Sequence, residues 1–471
     1  MISYHSLSLD NNFATDVPKT FKFVRAAMEV DEPMEVTAEF PTEVWEFIFK
    51  EVDDPFVLIR CQDISDYFFS IINNLIDSYN WQKTSRDYVH KNYLHEIMHK
   101  SMESFYIKVV DQVTDNKMWF RTFRSFHKWK MFFTEKSSAN QVDKITDKGV
   151  DPLRIPDITC IDSWHDFLAV GTGQGLIIFF QITEDNEAPQ PKFQVKTLFG
   201  GKHETSLFQV QFWSGNNEVL LALSLSQDKI VQFWDIQKKT QIVMDQPILA
   251  DHICSSTMYN CFIESRGKIV EYYYDQETES PKSRFEFSID LEGDTVCSLF
   301  VYQAQPKLVS VNKFKILKKH DISSSNSPTG SVHYYQQSHT YGGKPLSDAM
   351  IKDQKFSVSA GSIVFAIHGI NLLIHASGRN YTEHKLRGVQ FSSLITHGNN
   401  LFLGINSGYI KVIEMKNIPY LLKYNINDTK DKKIIVEENS TIVQLAITEH
   451  ETNPYIFSAM ANSIRSISPI L

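Results

Sequence analysis

Apolar residues recur at two different periods along this chain, and the change between them divides it. Between Pro41 and Leu75 they fall three and four apart, the spacing of helices with one buried face. Val44, Ile48, Phe49 and Val52 form one stripe behind Pro41, which suits a first helical position, with Thr42 and Glu43 in the first turn. Asp53-Asp54-Pro55 breaks that helix and starts a second carrying Leu58 and Cys61, and Ile64, Phe68, Ile71, Ile72 and Leu75 mark a third. So small a helical unit cannot bury all of its apolar residues, and a partner is expected to cover part of it. The helical reading continues from Thr84 to Phe126, with Tyr88, Tyr93, Ile97, Met98 and Phe105 as expected core. His127 to Thr134 reads as short, aromatic and β-like, and 137–148 as a polar linker. Beyond Asp151 the period is two, with Gly, Asn and Asp turns to the end. Residues 1–36 are polar and acidic without a period and are expected to form a mobile tail.

The β-rich part repeats itself. Each unit is an apolar stretch, a tight polar turn and a second apolar stretch, as in Phe167 to Ile182, Val219 to Ile236 and Leu401 to Glu414. With Gly175, Asp228, Gly267, Lys313, Gly369, Gly408 and Asn462 as turn landmarks, the intervals are 53, 39, 46, 56, 39 and 54. Their mean is close to the ~40–45 residues of a four-stranded propeller blade. Seven units from 151 to 471 predict a seven-bladed propeller, with six or eight blades as the alternatives that such degenerate repeats leave open. The last unit stops short of a fourth strand, and a ring cannot leave that edge open. The β-like segment at 127–135 is therefore the candidate closing strand.

Composition narrows the function. The net charge of −9, from 47 basic and 56 acidic residues, argues against a general nucleic-acid binder. The longest apolar runs, such as Leu176 to Phe180, are strand-sized, and the first residues carry no cationic segment followed by an apolar run. No membrane association is expected. Cys61, Cys160, Cys254, Cys261 and Cys297 lack metal-ligand spacing and read as free thiols of a reducing compartment.

Three patterns imitate catalytic or ligand chemistry. His95-Glu96-Ile97-Met98-His99 spells H-E-x-x-H but has no third zinc ligand downstream, so it reads as a solvated linker helix. Gly171 to Gly175 is glycine-rich, yet a strand follows it, whereas a phosphate loop must open a helix. Arg121, Arg124, Lys128 and Lys130 interleave with Phe120, Phe123, Phe126 and Trp129, which reads as aromatics packing inward under basic stems. Neither a catalytic residue nor a metal or cofactor site is assigned.

The stretch FPTEVWEFIFKEVDDPFVLIRCQDISDYFFSII resembles an F-box at Phe40-Pro41, Val44, Ile48-Phe49, Val52, Asp54-Pro55, Leu58, Cys61, Ile64-Ser65, Phe68 and Ile71. Phe40 stands where that motif usually has Leu, and Trp81 resembles its closing Leu-Trp a few residues late. The repeats resemble the WD-repeat class, whose signature one unit carries well, in Ser226-Gln227-Asp228 through Phe233-Trp234-Asp235. The order of parts is similar to that of the F-box/WD-repeat family. The resemblance implies a multidomain α+β chain: tail 1–36, F-box 37–83, helical linker 84–126 and propeller 127–471.

It further implies a non-enzymatic substrate-recognition subunit of an SCF-type ubiquitin ligase in the cytoplasm or nucleus. Its F-box would bind a Skp-type adaptor and through it a cullin-RING ligase, while the propeller holds a protein substrate for degradation. The alternative is an adaptor-bound scaffold acting outside ubiquitination. The adaptor-binding residues would be Pro41, Val44, Trp45, Ile48, Leu58 and Ile64. The substrate face would use turns carrying Lys202, His203, Asp228, Lys229, Arg266, Lys268, Lys313 and His368, whose basic character suits an acidic or phosphorylated segment.

Overall fold

The computed structural model describes residues 40–62, 64–100, 113–134, 141–147, 155–185, 192–215, 219–255, 260–302, 305–326, 332–341, 345–348, 351, 355–359, 363–376, 379, 381–427, 432–449 and 454–468. The tail expected at 1–36, and Phe105, lie outside them. The chain divides into two compact units between Leu75 and Ile76. The break falls before 83 because Trp81 belongs to the second unit. Its ring packs at 4.8 Å from Phe120 and 5.8 Å from Phe123, and its indole N–H donates to the Ile76 carbonyl.

The first unit has helices α1 (Thr42–Lys50), α2 (Pro55–Gln62) and α3 (Asp66–Leu75). Pro41 precedes α1 in extended conformation, and the Asp54 carboxylate accepts the Phe56 N–H at the start of α2. Trp45, Phe49 and Phe68 form the aromatic centre, with Phe68 4.7 Å from Trp45 and 5.3 Å from Phe49. Leu58, Ile71, Ile72 and Leu75 are buried around it.

The second unit opens with α4 (Trp81–Tyr88), α5 (Lys91–Lys100) and α6 (Asn116–Thr134). Ile97 and Met98 are core residues, but Tyr88 is exposed. His127 to Thr134, expected as a strand, is the last part of α6. Trp119, Phe120, Phe123, Arg124, His127, Lys128 and Trp129 are all buried. A helix covered on nearly every side shows no clean apolar stripe in its sequence.

The remaining residues form a seven-bladed β-propeller. Blade I has strands Ile158–Trp164, Phe167–Thr172, Leu176–Asp185 and Lys192–Lys202. Blade II has Leu207–Ser214, Leu220–Ser226, Ile230–Asp235 and Thr240–Ile242, with Ile248–Leu249 also on its third strand. Blade III has His252–Ser255, Asn260–Ser265, Lys268–Asp275 and Ser280–Ser288. Blade IV spans Thr295–Thr340, blade V Lys355–Lys385 and blade VI Phe391–Ile435, the last with a short helix α7 (Ile418–Lys423) inserted before its outer strand. All seven landmark residues fall in the turn between the second and third strands of their blades.

Blade VII takes Ile442–Glu449, Pro454–Met460 and Ile464–Ser468 from the end of the chain and its outer strand, Gln141–Lys144, from before blade I. The closing strand thus follows α6 rather than lying within it. One step on, Thr146–Asp147 pairs in parallel with the outer strand of blade I. Ile145, between the two pairings, is buried among side chains of blades VII and I. A separate apolar cluster fills each of the other six junctions. Side chains of the first strands also tie neighbouring blades together. Asp162 accepts the Phe212 N–H, and Gln209 donates to the Ile253 carbonyl.

Candidate functional site

Alternating strand direction sends the turns between second and third strands, and the links from one blade to the next, to one face of the ring. The turns between first and second strands lie on the other. Helices α5 and α6 occupy that second face. The Lys100 ammonium donates to the Ser163 carbonyl at 2.9 Å and lies 5.6 Å from the Trp164 ring. Tyr93 Oη donates to the Met415 carbonyl. Glu449, buried at the end of the first strand of blade VII, accepts Ser125 Oγ at 2.5 Å and Trp129 Nε1 at 2.6 Å from α6, and pairs with His397 of blade VI at 2.6 Å. Docked helices cover the second face there; the first face carries the candidate substrate residues.

All eight of those residues lie on the first face, but they are not equivalent. His203 is buried, and two serines of blade II enclose it. Trp234 Nε1 donates to Ser224 Oγ at 2.7 Å, Ser224 Oγ lies 2.7 Å from His203 Nε2, and His203 Nδ1 lies 3.0 Å from Ser226 Oγ. Ser226 Oγ donates to Asp228 Oδ1 at 2.5 Å. Trp234 can only donate and Asp228 only accept, so every bond between them runs one way and the His203 proton sits on Nδ1. Burial holds the imidazole neutral, with its pKa pushed down to about 4 against the pull of Asp228. His203 and Asp228 therefore organise the blade, and His203, expected on the substrate face, lies buried beneath it. Lys202 and Lys313 are exposed at other turns, and His368 is half-buried.

Lys229, Arg266 and Lys268 come together in a groove between blades II and III. Two cavities form it, of about 1090 and 920 Å³, and they meet at Lys229, Asp251 and Arg266. The outer one is lined by Met244, Ile248, Leu249 and Tyr272 beside Lys268 and Lys282. The inner one carries Phe208, Glu264 and Asp294. Lys229 and Arg266 both hold left-handed backbone, with φ of 69° and 52°. At the corresponding turns of blades I and VI the left-handed residue is Gly175 or Gly408.

Charges in the groove are unevenly matched. Lys229 pairs with Asp251 at 2.6 Å, Lys268 with Glu286 at 2.8 Å and Lys282 with Asp275. Burial opposes ionisation of Asp251, but the Lys229 ammonium and the Arg266 N–H outweigh it and hold its pKa below the usual carboxylate range. The Arg266 guanidinium has no partner among the described residues. Exposed Phe208 and Leu249 border the groove, and Phe314 and Ile370 stand exposed on two further turns of the same face. Sequence reasoning missed Phe208, Leu249, Glu264 and Lys282, which become neighbours only through the packing of two blades.

In the helical unit, Pro41 and Val44 are exposed, Trp45, Ile48 and Ile64 half-buried, and Leu58 buried. Leu58 therefore belongs to that unit's own core. The most exposed large apolar residue there is Phe47, at 66%, with Phe40 at 47% and Val44 at 38%. Val44 and Phe47, three apart, share one face of α1, and Phe40 lies just before that helix with its ring 5.8 Å from Trp45. The spacing itself was a readable signal for Phe47. The side chains of His95 and His99 lie outside the described residues, and no group of metal-binding side chains occurs among those described. No described helix is long and apolar enough to cross a membrane. No protein-family model and no curated protein matches the chain.

Proposed function

We propose that this chain is the substrate-recognition subunit of an SCF-type ubiquitin ligase, with the helical unit engaging a Skp-type adaptor and the propeller holding the target. The observation that carries the reading is the exposure of Phe40, Val44 and Phe47 at the start of a small helical unit whose Trp45, Ile48 and Ile64 are themselves only half-buried. Isolated apolar residues are ordinary on a surface, but three exposed within eight residues on a unit this small are an interface feature. Binding brings no chemistry of its own. Holding a target beside a charged conjugating enzyme raises its effective concentration.

The turn face supports the other half of the reading. Lys202, Lys229, Arg266, Lys268 and Lys313 are exposed there with Phe208, Leu249, Phe314 and Ile370. Cationic and apolar side chains together suit a protein segment carrying carboxylate or phosphate groups. The test is co-purification of the full chain with Skp-type adaptor and cullin. The wild type recovers both, and the Val44→Asp/Phe47→Asp variant recovers neither while its melting temperature is unchanged. Adaptor without cullin indicates a scaffold outside ubiquitination. No adaptor from the wild-type chain overturns the reading.

A further inference from the structure

The inner cavity of the groove contains a carboxyl group that its own fold does not fully use. Glu264 sits near the end of the second strand of blade III and is fully buried. Its Oε1 accepts the Gly267 N–H at 2.5 Å, which closes the turn, whereas Oε2 is buried and has no hydrogen-bond partner among the described residues. A buried, half-satisfied carboxyl is costly, and such groups are retained where something else completes them. Asp251 is matched by Lys229 and the Arg266 N–H, and Asp294 by Lys318 at 3.0 Å. Glu264 alone among the three carboxyls lining this cavity has no ion-pair partner among the described residues, Lys229 acting on it only from its pair with Asp251. Burial pushes its pKa up to about 7, with Asp251 adding to the rise, so a cation beside Oε2 would restore its ionisation.

Two residues along the chain, the exposed Arg266 guanidinium has the complementary deficit. It stands where the inner and outer cavities meet. Beyond it lie Met244, Ile248 and Leu249. We infer that the groove between blades II and III takes an extended segment of a partner protein with a basic side chain at Glu264 and an acidic group close by at Arg266. An apolar side chain of the same segment would continue into the outer cavity. Charge complementarity selects this occupant: one unmatched acid inside and one unmatched base at the rim call for the reverse pair on the ligand. The inference rests on the reading of the turn face as a protein-binding face, but needs no adaptor.

The test uses the full chain at pH 8 and fluorescein-labelled nine-residue Gly/Ser peptides containing one Arg and one Asp, separated by one to four positions. The best spacing binds at least about tenfold more tightly than the same peptide with citrulline for Arg or Asn for Asp. Glu264→Gln keeps an oxygen for the Gly267 N–H. In that variant the citrulline replacement makes no difference, while the Asn replacement still weakens binding. In Arg266→Gln the pattern reverses. Two outcomes overturn the inference: no peptide exceeding the uncharged control, or citrulline costing as much in Glu264→Gln as in the wild type. A chain that recovers no adaptor yet discriminates these peptides would retain this groove and lose only the ligase assignment.

Discussion

Trp129 Nε1 donates to Glu449 Oε1 at 2.6 Å, joining the helix that precedes the ring to the first strand of its last blade. Ser125 and His397 meet the same carboxylate, so one buried group holds α6 and two blades. Glu449→Ala leaves three buried polar partners without it, a loss of about 3–5 kcal/mol by analogy with broken buried pairs. The expected result is a lower melting temperature and faster proteolysis of α6. An unchanged melt would remove Glu449 as the anchor.

Ile145 lies between the two pairings of the closing segment and is buried between blades VII and I. Ile145→Ala should cost about 2–5 kcal/mol, as large-to-small changes in a packed core do. Deleting 141–147 should yield aggregated protein, because blade VII then exposes an unpaired edge. Size-exclusion chromatography of the two variants checks both.

Lys229 holds φ of 69° at a turn where Gly175 and Gly408 adopt the same region in other blades. Lys229→Gly relieves a strained backbone and removes an exposed ion pair worth about 0–1 kcal/mol, so stability should hold or rise by up to about 1 kcal/mol. Binding of an anionic partner should weaken severalfold. A stable variant with weakened binding separates the residue's cost to the fold from its use.

Acid should destabilise the ring through its neutral histidines. Burial lowers His203 to about 4 and His375 to about 3 from an ordinary value near 6.5. The unfolded chain then binds more protons than the folded one below pH 6.5. Their contribution is complete above that pH and is lost as pH falls through the folded values. His375 packs against Tyr341 and Tyr381, at 5.4 and 5.1 Å between ring centroids, and neither ring nitrogen has a partner among the described residues. His375→Phe should therefore raise stability at pH 7 by about 1–3 kcal/mol and flatten the acid limb. Denaturant unfolding from pH 4 to pH 8 measures both effects.

The ring was legible because its repeats mark themselves with turns: all seven landmark residues occupy the same turn of successive blades. The closing strand was not, since Gln141 to Lys144 joins through its backbone and needs no apolar run. The aromatic and basic run around Trp129 misled for the opposite reason, being buried on too many sides to show a period. For the candidate site, the cationic turn residues were visible, but the roles were not. His203 and Lys229 look alike in sequence, and only the serines at 224 and 226 turn one of them inward.

The segment that locks the ring is synthesised long before its partner. Gln141–Lys144 leaves the ribosome about 320 residues ahead of Ile464–Ser468, an interval of roughly 15–65 seconds at ordinary elongation rates. Throughout that time six blades can form and pack in sequence, but blade I has no blade VII to close against, so the nascent chain is an arc with two sticky ends. Its yield in a cell is therefore governed by whatever shields those ends while translation runs on.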